Sequence, residues 1–199
     1  MYFLVSNIVL SLLMLIVIFS LVLIFRQFGE VYLSTGASIA RDGLPIGTKL
    51  PEFNALNYKN GNIIFSQEIY NSPKPTLVAF VTPNCPACKD LLKDINKMVN
   101  KYNGRLNFVL FGIGYQPLQF DKIFKDVPSD VKLFVEDLEK PVFKNLNLRV
   151  TPFAFLLDQE GIIQEKGLCN TIDHVDSFYK SYESSKSTKI NQKGVKVSV

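Results

Sequence analysis

Thr76-Leu77-Val78-Ala79-Phe80-Val81-Thr82-Pro83-Asn84-Cys85-Pro86-Ala87-Cys88 is the stretch from which the rest of the chain can be read. Its first seven residues form a nearly continuous apolar, partly β-branched run between Pro75 and Pro83, the pattern of a central strand buried on both faces. From Cys88 onward, Leu91, Leu92, Ile95, Met98, Val99 and Tyr102 recur at helical spacing, and Asn103-Gly104 is a stop signal. Two thiols separated by two residues therefore lie where a buried strand hands over to a helix.

That placement carries chemistry. Unpaired backbone N–H groups and the positive end of the helix dipole stabilise an anion at Cys85, which makes its thiolate the better nucleophile and leaving group. Cys88 lies one turn further in and is the candidate resolving thiol, with Pro86 and Ala87 as the intervening motif residues. Thr151-Pro152 opens a later strand. Proline at a strand's first residue is ordinary punctuation. Were it cis, it would leave the backbone before it free to pair with a substrate strand, making Thr151 and Pro152 candidate substrate-binding residues.

Working outward, Asn60-Gly61 signals a hairpin between Phe53–Asn57 and Ile63–Phe65. Further buried strands are expected at 107–113 and 131–135, with a helix near 118–125 between them and a short one over 139–147 that has Pro141 in its first turn. Residues 152–157 and 162–166 read as a hairpin, followed by a last helix over about 171–181. Strands alternating with helices predict an α/β fold with a largely parallel sheet covered on both faces, finished by an antiparallel hairpin.

The ends are different in kind. Residues 1–25 contain 21 apolar residues and no charge, long enough for a transmembrane anchor and far longer than a signal peptide's apolar region. Residues 26–46 mix glycines, Pro45 and scattered charges, and read as a linker to a body at 47–183. The tail, 184–199, holds Lys186, Lys189, Lys193 and Lys196 with no acid, is too polar to bury a face, and is expected to be disordered. The remaining charges balance at 18 basic and 18 acidic, so the net +4 belongs to the tail. A neutral body argues against nucleic-acid binding. Arg26 and Arg41 follow the span, so flanking charge gives no support to an extracytoplasmic body, and the redox chemistry decides the expected side.

Taken together these residues resemble the thioredoxin superfamily over about residues 47–183. Gly47-Thr48-Lys49-Leu50-Pro51-Glu52-Phe53 looks like the opening of its membrane-tethered TlpA-like and redoxin branch. Arg26-Gln27-Phe28-Gly29, Thr82 to Lys89, and Gly167-Leu168-Cys169-Asn170-Thr171 resemble the MauD-type methylamine-utilisation accessory proteins. The resemblance implies a thioredoxin-like mixed sheet flanked by helices behind an N-terminal transmembrane helix. It also implies assistance in disulfide formation or isomerisation, and the expected function is a thiol:disulfide oxidoreductase, the reductase or isomerase direction favoured, acting outside the cytoplasm on exported cysteine-containing proteins. A membrane or extracytoplasmic thiol partner would recycle it, and no cofactor is expected. The chain departs from the superfamily pattern at Ala79, where thioredoxins carry a buried acid, and at Asn84, which replaces a common tryptophan. Asp90 and Glu68 are the candidates for the missing base.

Two other functions are weighed against this. A peroxiredoxin-like thiol peroxidase matches Thr82-x-x-Cys85 but has Val78 where that motif needs proline. A tethered metal chaperone would want a nearby histidine, and the single one, His174, is expected on the last helix, so no metal ligands are assigned. Cys169, the odd thiol, reads first as a small buried hydrophobe and second as a regulatory or intermolecular partner, with Gly167 expected near the active-site face.

Overall fold

The computed structural model describes residues 2–114, 117–136 and 142–195, without the side chains of 27–41, 117, 143 and 188–195. The chain divides into two compact units at Arg41/Asp42. The first is one helix, α1 (Tyr2–Arg41), whose segment Tyr2–Arg26 is long and apolar enough to cross a membrane. Here the structure differs from the expected linker, because helix continues through residues 26–41. An isolated glycine costs a helix only about 1 kcal/mol, so Gly29 and Gly36 do not end it.

The second unit carries a mixed sheet. Its strands are β1 (Asn54–Asn57), β2 (Ile63–Phe65), β3 (Thr76–Val81), β4 (Asn107–Gly112), β5 (Lys132–Glu136), β6 (Phe153–Leu157) and β7 (Ile163–Leu168), in the order β2-β1-β5-β4-β3-β6-β7. Only β3 with β4 and β4 with β5 run parallel among the described pairings, which corrects the largely parallel expectation. The reason lies at the flanks. β6 follows the helix and loop after β5 and inserts antiparallel beside β3, and the β1–β2 hairpin adds antiparallel to β5.

Alternation along each strand sorts side chains between two cores. Leu77, Ala79 and Val81 of β3 join one cluster with Leu110 and Leu156, while Val78 and Phe80 join the other with Phe111, Phe153 and Phe155. Helix α3 (Pro86–Lys101) covers the first cluster with Cys88, Leu91, Ile95 and Met98, each apolar side chain contributing roughly 2 kcal/mol by leaving water. A 3-10 turn, Pro117–Phe120, leads into the short α4 (Asp121–Phe124) on the same face. The second cluster is closed by α2 (Ser66–Tyr70) and α5 (Val142–Asn145). Pro141, expected in the first turn of α5, lies outside the described residues.

Packing of the body begins at Asp42, before the expected start at Gly47. Gly43 donates its N–H to the Asn147 carbonyl at 2.8 Å, and Lys166 Nζ donates to the carbonyls of Asp42 and Gly43 at 2.7 and 3.2 Å. Burial pushes the Lys166 ammonium below the usual lysine range, with the Asp42 charge opposing. At the other end α6 (Ile172–Val195) continues well past the expected stop near Ser181. The tail is thus helical to Val195 rather than disordered, and residues 196–199 lie outside the described set. Its serines do not break it, since Ser184, Ser185 and Ser187 hydroxyls turn back to the carbonyls four residues earlier.

Candidate functional site

The site forms where β3 ends. Cys85 is the N-cap residue of α3, with extended backbone, and Pro86 takes the first helical position, where a missing N–H costs nothing. The Cys88 N–H donates to Cys85 Sγ at 3.1 Å. Cys85 and Cys88 are joined as a disulfide with Cα atoms 5.2 Å apart. Cys88 is 1 % exposed and belongs to the core cluster, whereas Cys85 is half-buried at its margin. The capping sulfur is therefore also the one an incoming group can reach.

Thr151-Pro152 is brought against this pair. The peptide bond between them is cis. The Thr151 carbonyl oxygen lies 3.3 Å from Cys85 Sγ, and the Pro152 carbonyl accepts the Cys169 N–H at 3.2 Å. Once the disulfide is reduced, two opposing influences would act on the Cys85 sulfur. The Cys88 N–H and the helix end favour negative charge there, and the Thr151 carbonyl favours a protonated thiol.

Sequence reasoning missed the contribution of Thr82. Its hydroxyl lies 3.1 Å from that of Thr151, tying the end of β3 to the cis-proline loop. The two residues are 69 positions apart, and no local signal pairs them. This hydroxyl is where a peroxidase motif would need it, yet its contact is to Thr151.

Neither candidate base reaches Cys88. Glu68 accepts from the Phe65 N–H at the start of α2, a helix on the opposite face of the sheet from α3. The strand leading into it, β2, is four strands from β3, roughly 19 Å at the usual spacing. Asp90 is exposed on α3 and paired with Lys93 at 2.8 Å. Ala79 and Cys169 are buried in the same core cluster as Cys88, and among the described residues Asp42 is the one buried carboxylate.

Cys169 is fully buried, and desolvation pushes its thiol up to about 12. That is the small-hydrophobe reading of the odd cysteine. His174 is half-buried on α6, with Nδ1 3.3 Å from the Thr171 hydroxyl, and makes no hydrogen bond to the cysteine pair among the described contacts.

Known proteins agree with this architecture. A family model described as thioredoxin-like matches residues 72–163. The methylamine utilization protein MauD of Methylophilus methylotrophus is 29% identical over 168 residues, covering 83% of this chain and 77% of that protein. MauD of Paracoccus denitrificans is 29% identical over 179 residues, covering 88% and 86%. Among solved structures, the thioredoxin domain of a thiol-disulfide oxidoreductase from Bacteroides vulgatus superposes with a TM-score of 0.58 at 19% identity, covering 68% of this chain and 98% of that one. A thiol:disulfide interchange protein from Bacteroides sp. gives 0.55 at 19% identity, covering 68% and 90%. The chain has a thioredoxin-like fold, and in sequence it is similar to a thioredoxin-like family model over residues 72–163 and to the MauD-type methylamine-utilisation proteins.

Proposed function

We propose that this chain is a membrane-anchored thiol:disulfide oxidoreductase that acts on disulfides of exported proteins, with its body outside the cytoplasm. The observation that carries the reading is the half-buried Cys85 Sγ, held between the Cys88 N–H at 3.1 Å and the carbonyl before a cis proline at 3.3 Å. In the reduced protein, the Cys85 thiolate attacks a client disulfide, forming a mixed disulfide and releasing one client sulfur as a thiolate. The Cys88 thiolate then attacks Cys85 Sγ, closing the Cys85–Cys88 disulfide and releasing the second client sulfur. The client gains two electrons, and protons lost by the two cysteines are made good on the client thiols. A dithiol partner must return the electrons.

Thr151 would present its free backbone to the client strand, and Pro152 leaves no N–H there to compete. The span Tyr2–Arg26 supports tethering, and a compartment where proteins carry disulfides supports an extracytoplasmic body. Reduction or isomerisation is the favoured direction, which requires a potential below that of the clients it meets.

The test is trapping in native cells. Cys88→Ser in the full chain should accumulate mixed disulfides through Cys85, identified after alkylation, and Cys85→Ser should accumulate none. Recovery of no adduct from Cys88→Ser, together with brisk hydroperoxide consumption by the wild-type chain, would replace this function with a peroxidase. Shielding of the body from an impermeant thiol reagent in intact cells would overturn the placement.

A further inference from the structure

The flank of β3 opposite Thr151-Pro152 has its own surface. In the sheet order, β6 lies on one side of β3 and β4 with β5 on the other, and α4 connects those last two. Between α3 and α4 a groove of about 420 Å³ begins at Pro83 and Asn84, next to Cys85, and includes Lys89, Leu118 and Lys122. A second hollow of about 290 Å³ shares Lys89, Lys122 and Ile123 with the first and carries on past Leu92 and Val127. The two form one trough leading away from the reactive sulfur.

Its chemistry is two-sided. Leu118 is 76 % exposed, and Leu92, Ile123 and Val127 are half-buried, so apolar surface lies open beside the nucleophile. Covering it is favourable at roughly 25 cal/mol per Å². The rim is basic. Lys93 is neutralised by Asp90, leaving Lys89 and Lys122 against the single acid Asp126, and neither lysine has an ion-pair partner among the described residues. No comparable imbalance is needed for folding, since both side chains are exposed.

We infer that this trough binds client segments in which apolar residues and aspartates or glutamates lie beside the cysteine that joins Cys85. The inference rests on the oxidoreductase reading above. A client would then be gripped on both flanks of β3, by backbone pairing at Thr151 and by side chains between α3 and α4. Basic residues at the rim would raise encounter rates for acidic clients in a salt-dependent way.

The full chain in detergent, reduced, is mixed with two matched peptide disulfides, one acidic and apolar beside its cysteine and one basic and apolar, and separately with a small aromatic disulfide. The acidic peptide should react faster by roughly fivefold at low salt, with the ratio falling toward one at about 0.5 M salt. In Lys122→Glu/Leu118→Ser, both exposed positions on the wall of the trough, the ratio should collapse or invert while the small disulfide is consumed at the wild-type rate. Equal rates for the two peptides in the wild type, or a ratio that survives the double substitution, would overturn the inference and leave the oxidoreductase reading standing. Failure of the wild type to consume even the small disulfide would instead overturn both.

Discussion

The hydroxyl oxygens of Thr82 and Thr151 lie 3.1 Å apart, joining the end of β3, just before Cys85, to the cis-proline loop. Thr82→Val removes one partner of a partly buried hydrogen bond and should lower stability by about 1 kcal/mol, with Thr82→Ser closer to wild type. Urea denaturation of both variants measures this. Equal stability of the valine and wild-type proteins would mean that the bond carries no net weight.

Cys169 gives a sharper expectation. With its thiol pushed up to about 12 by burial, it stays protonated and shielded at pH 8. Iodoacetamide should label reduced Cys85 in the native protein and reach Cys169 only after denaturation. Turnover of Cys169→Ser should match wild type, although placing a hydroxyl at a fully buried site should cost roughly 1–3 kcal/mol of stability.

Asp176 tests the seam between α3 and α6. It accepts from Lys101 Nζ at 2.5 Å and from the Tyr102 hydroxyl at 2.6 Å, and these two contacts hold its carboxyl below the usual aspartate range. A depressed folded value contributes stability above the unfolded value near 4 and loses it as pH falls through the folded value. Asp176→Asn should therefore cost up to about 1 kcal/mol at neutral pH, discounted because the side chain is 35% exposed, and the gap should close on acidification. Thermal melts of the two proteins from pH 7 down to about pH 2 check the sign.

Ala79→Asp asks what the missing carboxylate would do. The site is 2 % exposed and shares a core cluster with Cys88, so an acid there would be held neutral to a higher pH than usual. The folded state would then resist its ionisation, and the destabilisation should grow as pH rises above about 4, reaching roughly 2–3 kcal/mol. In exchange assays the variant should show an additional pH inflection absent from the wild type. An unchanged profile would separate Ala79 from proton transfer at Cys88.

What could be read beforehand divides along physical lines. The run from Thr76 to Cys88 was legible because a strand buried on both faces and a helix with one apolar stripe leave periods of their own in the sequence. Helix α2 left none, since Ser66–Tyr70 spans little more than one turn, too short for a period, although Ile69 and Tyr70 enter the core. The ends of α1 and α6 lie beyond the composition shifts for the converse reason. Composition shifts at Arg26 and Ser184, but the propensity differences are tenths of a kcal/mol per residue and do not force a break. The cysteine pair and Pro152 could be named from local pattern. The Thr82 contact, the remoteness of Glu68 and the basic trough depend on which distant segments become neighbours, and that is decided by strand order.

The burial of Cys88 beneath a half-exposed Cys85 has a kinetic consequence. Because Cys88 is buried and Cys85 half-exposed, the client and the electron donor of the oxidoreductase proposed above would use the same doorway, and one would have to leave before the other enters. Such traffic produces substituted-enzyme kinetics, with parallel double-reciprocal lines and each partner inhibiting competitively when in excess. A membrane tether would then set the duty cycle by controlling which of the two visitors waits closest to the door.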